Sequence, residues 1–316
     1  MPPAATLANP PDRIDIARAH VALLMNPGSG RKEGRRLLDG LRMRLEPVVG
    51  RLTVHPVGRE APIAQAVARA RDEGAEVVAV FGGDGSQNAA AGALAGTGTP
   101  LAILPGGTFN YAARDLGIET LEDGIAALLG GRLRPHDLAR LNDRVVLNNA
   151  AFGVYPEILE RREAFYRRWG RSRIGAYWAV LMTLLDLRAP LVFDIEAGGV
   201  LRHFETPLVF AARSAVQLDS LGLEGAEAVR EGHAVLFLAR ATGRLGLVAA
   251  SLRLATGRVR RGTDFEVVVA DDVTIDTARR RKIVAFDGEK AWMDAPFRLR
   301  VWPGALTVLA PPATAP

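Results

Sequence analysis

A chain of 316 residues with 48% hydrophobic and 24% charged side chains holds enough apolar material for one or two packed cores, which excludes a disordered or fibrous protein. It contains no cysteine, which excludes a disulfide framework, a thiolate metal centre and a cysteine nucleophile and is compatible with a reducing cytoplasm. The net charge of +5 favours anionic partners: nucleotide phosphates, nucleic acid or acidic lipid surfaces.

The first twenty residues, "MPPAATLANPPDRIDIARAH", lack a basic start followed by an apolar stretch of signal-peptide length, and we expect a loose tail there. Apolar runs then alternate with helical patterns, which predicts βα units around a mostly parallel sheet. "HVALLMNP" leads into the loop "NPGSGRKEG", and a helix with Leu37, Leu38, Leu41 and Leu45 on one face leads to the strand "RLTVHPVG". The helix "APIAQAVARARDEG" leads to "EVVAVFGG", and an alanine-rich segment leads to "PLAILPGG". From about Pro135 onward short β-type runs dominate, among them residues 144–147, 191–196, 208–212, 233–239, 265–270 and 297–302, which predicts an antiparallel sandwich or partial barrel. A helical interruption is expected over 156–188. We expect an α/β nucleotide-binding domain over 1–135, completed by a returning segment near 304–316, and a β-rich domain over 136–303. The longest membrane-span candidate, 174–187, has about 14 residues against the roughly 20 needed to cross, so a soluble or peripheral protein is expected.

In a parallel α/β sheet, ligands bind beyond the carboxyl ends of the strands, and three Gly-rich turns fall there. "NPGSGR" offers Asn26, Gly28, Ser29 and Gly30, with Arg31 and Lys32 as added positive charge. "GGDGS" offers Gly82, Gly83, Asp84, Gly85 and Ser86. Its glycines permit a sharp reversal, and Ser86 is placed to cap a helix starting near Gln87, whose free N–H groups suit an anion. Asp84 is itself anionic, so a phosphate beside it calls for a bridging cation, and Mg²⁺ carried by a nucleotide is the natural one. "LPGGTFNYAARDLG" repeats the logic with Gly106, Gly107, Thr108, Asn110 and a helix closed by Gly117. None of these turns matches the P-loop or the dinucleotide fingerprint, and each taken singly also reads as an ordinary strand-to-helix turn.

Together with "NNAAFGVYPEI" and "VAFDGEKAWMDAPFRLRVWPGALTVLAP", these segments resemble, in order and over most of the chain, the diacylglycerol kinase catalytic-domain family, which includes bacterial lipid kinases, sphingosine kinases and ceramide kinases. The resemblance implies ATP-dependent phosphorylation of a lipid hydroxyl, diacylglycerol or sphingoid-like, with ATP in an interdomain cleft. By position, Asn26, Gly28, Ser29, Gly30, Gly82, Gly83, Asp84, Gly85, Ser86 and Thr108 look like nucleotide contacts, with Asp84 reaching Mg²⁺ through the nucleotide. Asp287 and Glu289 match the family's acidic pair, one of which takes the proton of the attacking hydroxyl; the sequence does not choose between them. Asp287-Gly288-Glu289 also reads as a solvated β-turn.

The chain departs from the family pattern at Ala89, where many relatives carry glutamate, and at Tyr155, where many carry aspartate. Glu231-Gly232 stands where Asp-Gly is usual in a metal loop, so no structural metal is expected. Six arginines between 161 and 173, interleaved with Phe165, Tyr166 and Trp169, suit either an anionic lipid surface or a solvated helix face. No nucleic-acid-binding motif is present, and no nucleic-acid partner is expected. The expected location is cytoplasmic, peripheral to the inner face of the membrane. The competing readings are a kinase of NAD, which shares the GGDG turn, and a non-catalytic nucleotide or lipid-binding protein.

Overall fold

A computed structural model describes residues 12–26, 32–58, 60–153, 191–240, 243–256, 258–260 and 262–311. The turn residues 27–31, including Gly28, Ser29, Gly30 and Arg31, lie outside the described residues, as do Tyr155, the arginines at 161–173 and the stretch 174–187. The chain forms two compact units, Met1–His136 with Gly304–Pro316, and Asp137–Pro303.

In the first unit β1 (His20–Met25), β2 (Arg51–Pro56), β3 (Val77–Gly82) and β4 (Leu101–Pro105) are parallel in the order β2-β1-β3-β4. Val308, near the end of β16 (Phe297–Leu309), pairs in parallel with Leu101 at the far edge. β1 is buried along its whole length and β4 likewise, because βα crossovers cover both faces of a parallel sheet. Among the crossover helices, α1 (Lys32–Leu45) sets Leu41 and Leu45 into the core with Leu23, Ala79 and Leu104. α2 (Ile63–Asp72) starts after Pro62, where a missing N–H leaves no bond unmade, and buries Ala66, Val67 and Ala70. α3 (Asp84–Leu94) and α4 (Tyr111–Asp115) follow β3 and β4. α5 (Leu121–Gly130) opens with a capping box, the Thr120 hydroxyl accepting from the Asp123 N–H while the Asp123 carboxylate accepts from the Thr120 N–H.

The second unit is two antiparallel sheets. One has the order β12-β11-β10-β7-β14-β15, built from β7 (Asn149–Gly153), β10 (Leu208–Ala212), β11 (Ala234–Ala239), β12 (Phe265–Ala270), β14 (Arg281–Phe286) and β15 (Glu289–Asp294). The other runs from the start of β16 through β13 (Asp272–Thr277) and β8 (Leu191–Ala197) to β9 (Val200–Thr206). A hairpin of β5 (Leu133–Leu141) and β6 (Arg144–Val146) pairs with β16. The sheets share one core, Phe152, Val209, Leu236, Val284 and Phe286 from the first meeting Phe193, Ile195, Val273, Phe297 and Leu299 from the second. This is the α/β domain plus antiparallel sandwich expected from the pattern of runs.

The helical interruption expected over 156–188 lies outside the described residues, and three further helices stand in the second unit: α6 (Ala215–Leu221), α7 (Ala226–Arg230) and α8 (Arg244–Ala255). α6 and α7 cover one outer region of the first sheet, where Leu218 and Val229 pack with Val235 and Phe237. Among the described residues, no helix is long and apolar enough to cross a membrane.

Candidate active site

The β3–α3 and β4–α4 turns meet main chain to main chain. A Cβ built on Gly107 would stand 2.5 Å from the Gly83 Cα, and one built on Gly83 would stand 3.0 Å from the Gly107 Cα. Neither glycine has a left-handed backbone, and neither do Gly82, Gly85 or Gly106. The turn from β3 into α3 is made without left-handed dihedrals, and these glycines supply room for close approach. Gly107→Ala should lower stability by about 1–3 kcal/mol, the range for forcing atoms into a packed contact. It should also weaken nucleotide binding more than Gly85→Ala, whose Cβ would meet nothing within 4 Å. Thermal unfolding and nucleotide titration of the two variants check this.

The cap assignment for Ser86 also changes. α3 begins three residues earlier, at Asp84, with Gly83 as an extended N-cap and no side-chain cap bond. Ser86 sits inside the first turn, its N–H donating to the Gly83 carbonyl at 2.9 Å, and the Gln87 N–H donates to the same oxygen at 3.1 Å. The N–H groups of Asp84 and Gly85 are left at the open end of the helix, where an anion is favoured.

Asp84 points across to the next turn. Its Oδ2 accepts the Asn110 N–H at 3.0 Å and its Oδ1 accepts the Tyr111 N–H at 2.7 Å, so the carboxylate serves the orphan donors that open α4. Asn110 occupies the N-cap of α4 in a left-handed conformation with φ of 50°, but its side chain does not cap. It turns back instead, its Oδ1 accepting from the Gly107 N–H at 3.0 Å and its Nδ2 donating to the Gly107 carbonyl at 2.9 Å. Gln87, fully buried, donates from Nε2 to the Gly82 carbonyl at 3.0 Å and to the Asn110 Oδ1 at 3.1 Å. Gln87 and Asn110 thus lock the two turns together. Gln87 has no role in the sequence reading beyond marking the expected helix start, although it lies inside "GGDGSQN". Thr108 is exposed on the β4 turn, and Asn26 is exposed at the end of β1.

Asp287 and Glu289 belong to the β14–β15 hairpin. Asp287 and Gly288 form its two-residue loop with φ of 49° and 85°, the positive values that a tight hairpin demands and that Asp tolerates better than most residues. Asp287 is not a solvated turn residue. Its Oδ2 accepts the Leu147 N–H at 2.7 Å, its Oδ1 accepts the Asn148 and Asn149 N–H groups at 2.7 and 3.1 Å, and its own N–H donates to the Asn149 carbonyl at 2.9 Å. Burial pushes the Asp287 carboxyl up to about 6; the three backbone donors pull the other way, and the neighbouring Glu289 charge adds to the rise. Asn149 is fixed in turn by its Nδ2, which donates to the Gln217 Oε1 at 3.1 Å. The Glu289 side chain is exposed and makes no hydrogen bond or ion pair among the described residues.

The donor set for Mg²⁺ is a test of fit. Each Asp84 oxygen spends one lone pair on a backbone N–H and keeps another. Among the described residues no group of three or more His, Cys, Asp or Glu side chains could hold a metal. That chemistry fits an ion shared between one carboxylate, nucleotide phosphates and water, as Mg²⁺ usually binds, and not an all-protein cage.

The fold is similar to that of solved structures. A diacylglycerol kinase from Bacillus anthracis aligns with a TM-score of 0.69 at 21% identity, covering 93% of this chain and 98% of that one. An NAD kinase from Archaeoglobus fulgidus, solved with ATP, aligns with a TM-score of 0.50 at 12% identity, covering 92% and 93%. Residues 20–141 match the family model of the diacylglycerol kinase catalytic domain. A diacylglycerol kinase from Mycobacterium tuberculosis is 34% identical over 187 residues, 57% of this chain. The match spans 59% of that relative's length.

Proposed function

We propose that the chain is an ATP-dependent lipid kinase that transfers the γ-phosphoryl group to the hydroxyl of a diacylglycerol or sphingoid-like lipid at a membrane surface. The observation that carries this reading is the pair of turns joined at Gly83 and Gly107, with Asp84 locked between them, inside the segment that matches the diacylglycerol kinase catalytic-domain model. Asn26, Gly28, Ser29, Gly30, the Gly82–Ser86 turn and Thr108 are the proposed nucleotide contacts. Asp84 would hold the Mg²⁺ that accompanies ATP, and that ion would neutralise charge on the transferring phosphoryl group.

Asp287 is the proposed base. Asp287 is held in place by three N–H donors and carries a carboxyl raised toward neutral pH, which suits proton removal at physiological pH. The acceptor oxygen forms its bond to the γ-phosphorus as the bond to the bridging oxygen of ADP breaks, and the hydroxyl proton passes to Asp287. Glu289 tunes that basicity by its negative charge. Since this transfer depends mainly on positioning and charge stabilisation, no histidine is needed.

Incubating the purified protein with Mg-ATP and a panel of dispersed lipids should label a lipid. A folded protein that labels none refutes the reading. Formation of NADP from NAD would transfer the assignment to the nucleotide kinases, and ATP binding without turnover on any lipid would make the chain a sensor.

A further inference from the structure

Three consecutive arginines, Arg279 and Arg280 in the loop between β13 and β14 and Arg281 as the first residue of β14, are followed by Lys282. All three arginines are exposed, and none of the guanidinium groups forms an ion pair among the described residues. The loop is nevertheless held in place, because the Ala295 N–H donates to the Arg280 carbonyl at 2.7 Å. Strand alternation puts Val284, Phe286 and Met293 in the sandwich core, so Arg281, Ile283 and Trp292 take the opposite face of the hairpin. Trp292 is 60% exposed, directly across from Ile283, and the Arg281 guanidinium lies 5.7 Å from its ring centre. Lys282 is more enclosed. Its Nζ lies 5.4 Å from the Phe193 ring, and burial lowers its pKa, with the Arg279 charge contributing. The nearby acids are Asp276, whose carboxylate is engaged by the Thr277 N–H at 2.7 Å, Asp294 opposite Arg281, and Glu289 at the start of β15. Three cations in a row without counter-ions repel one another, and an exposed tryptophan beside an isoleucine leaves apolar area in water. Neither stabilises the isolated fold.

We propose that this end of the hairpin, Arg279 and Arg280 in the loop with Arg281, Ile283 and Trp292 on the strands, is a docking surface for an anionic lipid bilayer. Clustered cations attract acidic headgroups, and tryptophan prefers the headgroup level, where its ring is apolar and its N–H is wet. A nucleic acid could engage the same charges. The choice of a bilayer rests on the lipid-acceptor reading above, and the test keeps the two separate.

The experiment is sedimentation of the full chain with phosphatidylcholine vesicles and with vesicles also containing phosphatidylglycerol, without nucleotide. Binding should require the anionic lipid and weaken as salt rises. Each basic residue near an anionic surface contributes about a fivefold gain in partition, so R279Q/R280Q/R281Q should lower it about a hundredfold. Beyond the Arg281–Trp292 contact these side chains form no hydrogen bond or ion pair among the described residues, and an unchanged melting curve would show that folding is intact. W292A should weaken binding by several-fold while keeping the salt dependence. Equal binding to neutral vesicles, or a triple variant that binds like the parent, would overturn the proposal. So would a DNA duplex that displaces the protein from vesicles and that the triple variant no longer binds. Phosphorylation of a lipid in neutral detergent micelles reads the kinase assignment separately. It should survive in the triple variant, and if no lipid is labelled while vesicle binding holds, the kinase reading fails and the docking surface stands.

Discussion

Asp287→Asn should lower kcat by about 10²- to 10⁴-fold, the range for removing a positioned general base. The parent's activity should rise with pH through about 6, because Asp287 must be deprotonated to accept the proton and burial has raised its carboxyl to that value. Glu289→Gln should keep most of kcat and move that acidic limb to lower pH, since the Glu289 charge is one of the groups raising Asp287. A pH–rate profile of the three proteins decides the roles. If Glu289→Gln abolishes turnover and Asp287→Asn does not, the base is Glu289. Stability runs in the opposite sense to activity. A carboxyl whose folded pKa of about 6 exceeds the ordinary 3.8 binds its proton more tightly in the native state, so its contribution is fully present below pH 3.8 and is lost as pH rises to about 6. The difference corresponds to about 3 kcal/mol. Asp287→Asn removes this pH dependence, tolerates the positive φ and keeps one acceptor oxygen, at the loss of the bond from Leu147. Its stability at neutral pH should therefore lie near that of the parent, so lost activity cannot be put down to unfolding.

Asp84→Ala should be defective in two measurable ways. The backbone N–H groups of Asn110 and Tyr111 lose their acceptor, which should lower stability by about 1–3 kcal/mol, the usual effect of orphaning capped donors. Turnover should fall below detection, because the carboxylate proposed to meet the Mg²⁺ is gone. Asp84→Asn separates these effects, since its amide oxygen still accepts one of the two bonds. It should recover much of the stability and little of the activity. An Asp84→Asn protein as active as the parent would leave Asp84 a structural residue and remove it from the chemistry.

The parallel sheet was legible because β1, β3 and β4 are largely buried apolar runs leading into Gly-rich turns, and because Leu41 and Leu45 recur at helical spacing. The antiparallel class of the second unit was legible from many short runs with turn residues between them. The helices α6 and α7 were missed for a local reason. "AVQLDSL" and "AEAVR" are each under two turns long, too short for periodicity to register, although Ser214 accepting from the Gln217 N–H and Gly222 in a left-handed cap were signals to be read. β16 reads as two segments in sequence because Pro303-Gly304 falls inside it, and Pro normally ends a strand. At the site, residue types pointed to Asp84 and Asp287 but not to what holds them. The donors are the main chain of Asn110, Tyr111 and residues 147–149, and main-chain donors leave no trace in residue identity.

The contact between Gly83 and Gly107 involves no side chain on either turn. Random substitution over this unit should therefore show two positions as intolerant as its core leucines, although neither glycine buries apolar area or carries charge. A lineage drifting away from the activity would be free to change Thr108 or Ser86 gradually, whereas the first Cβ at Gly107 would part the turns in one step.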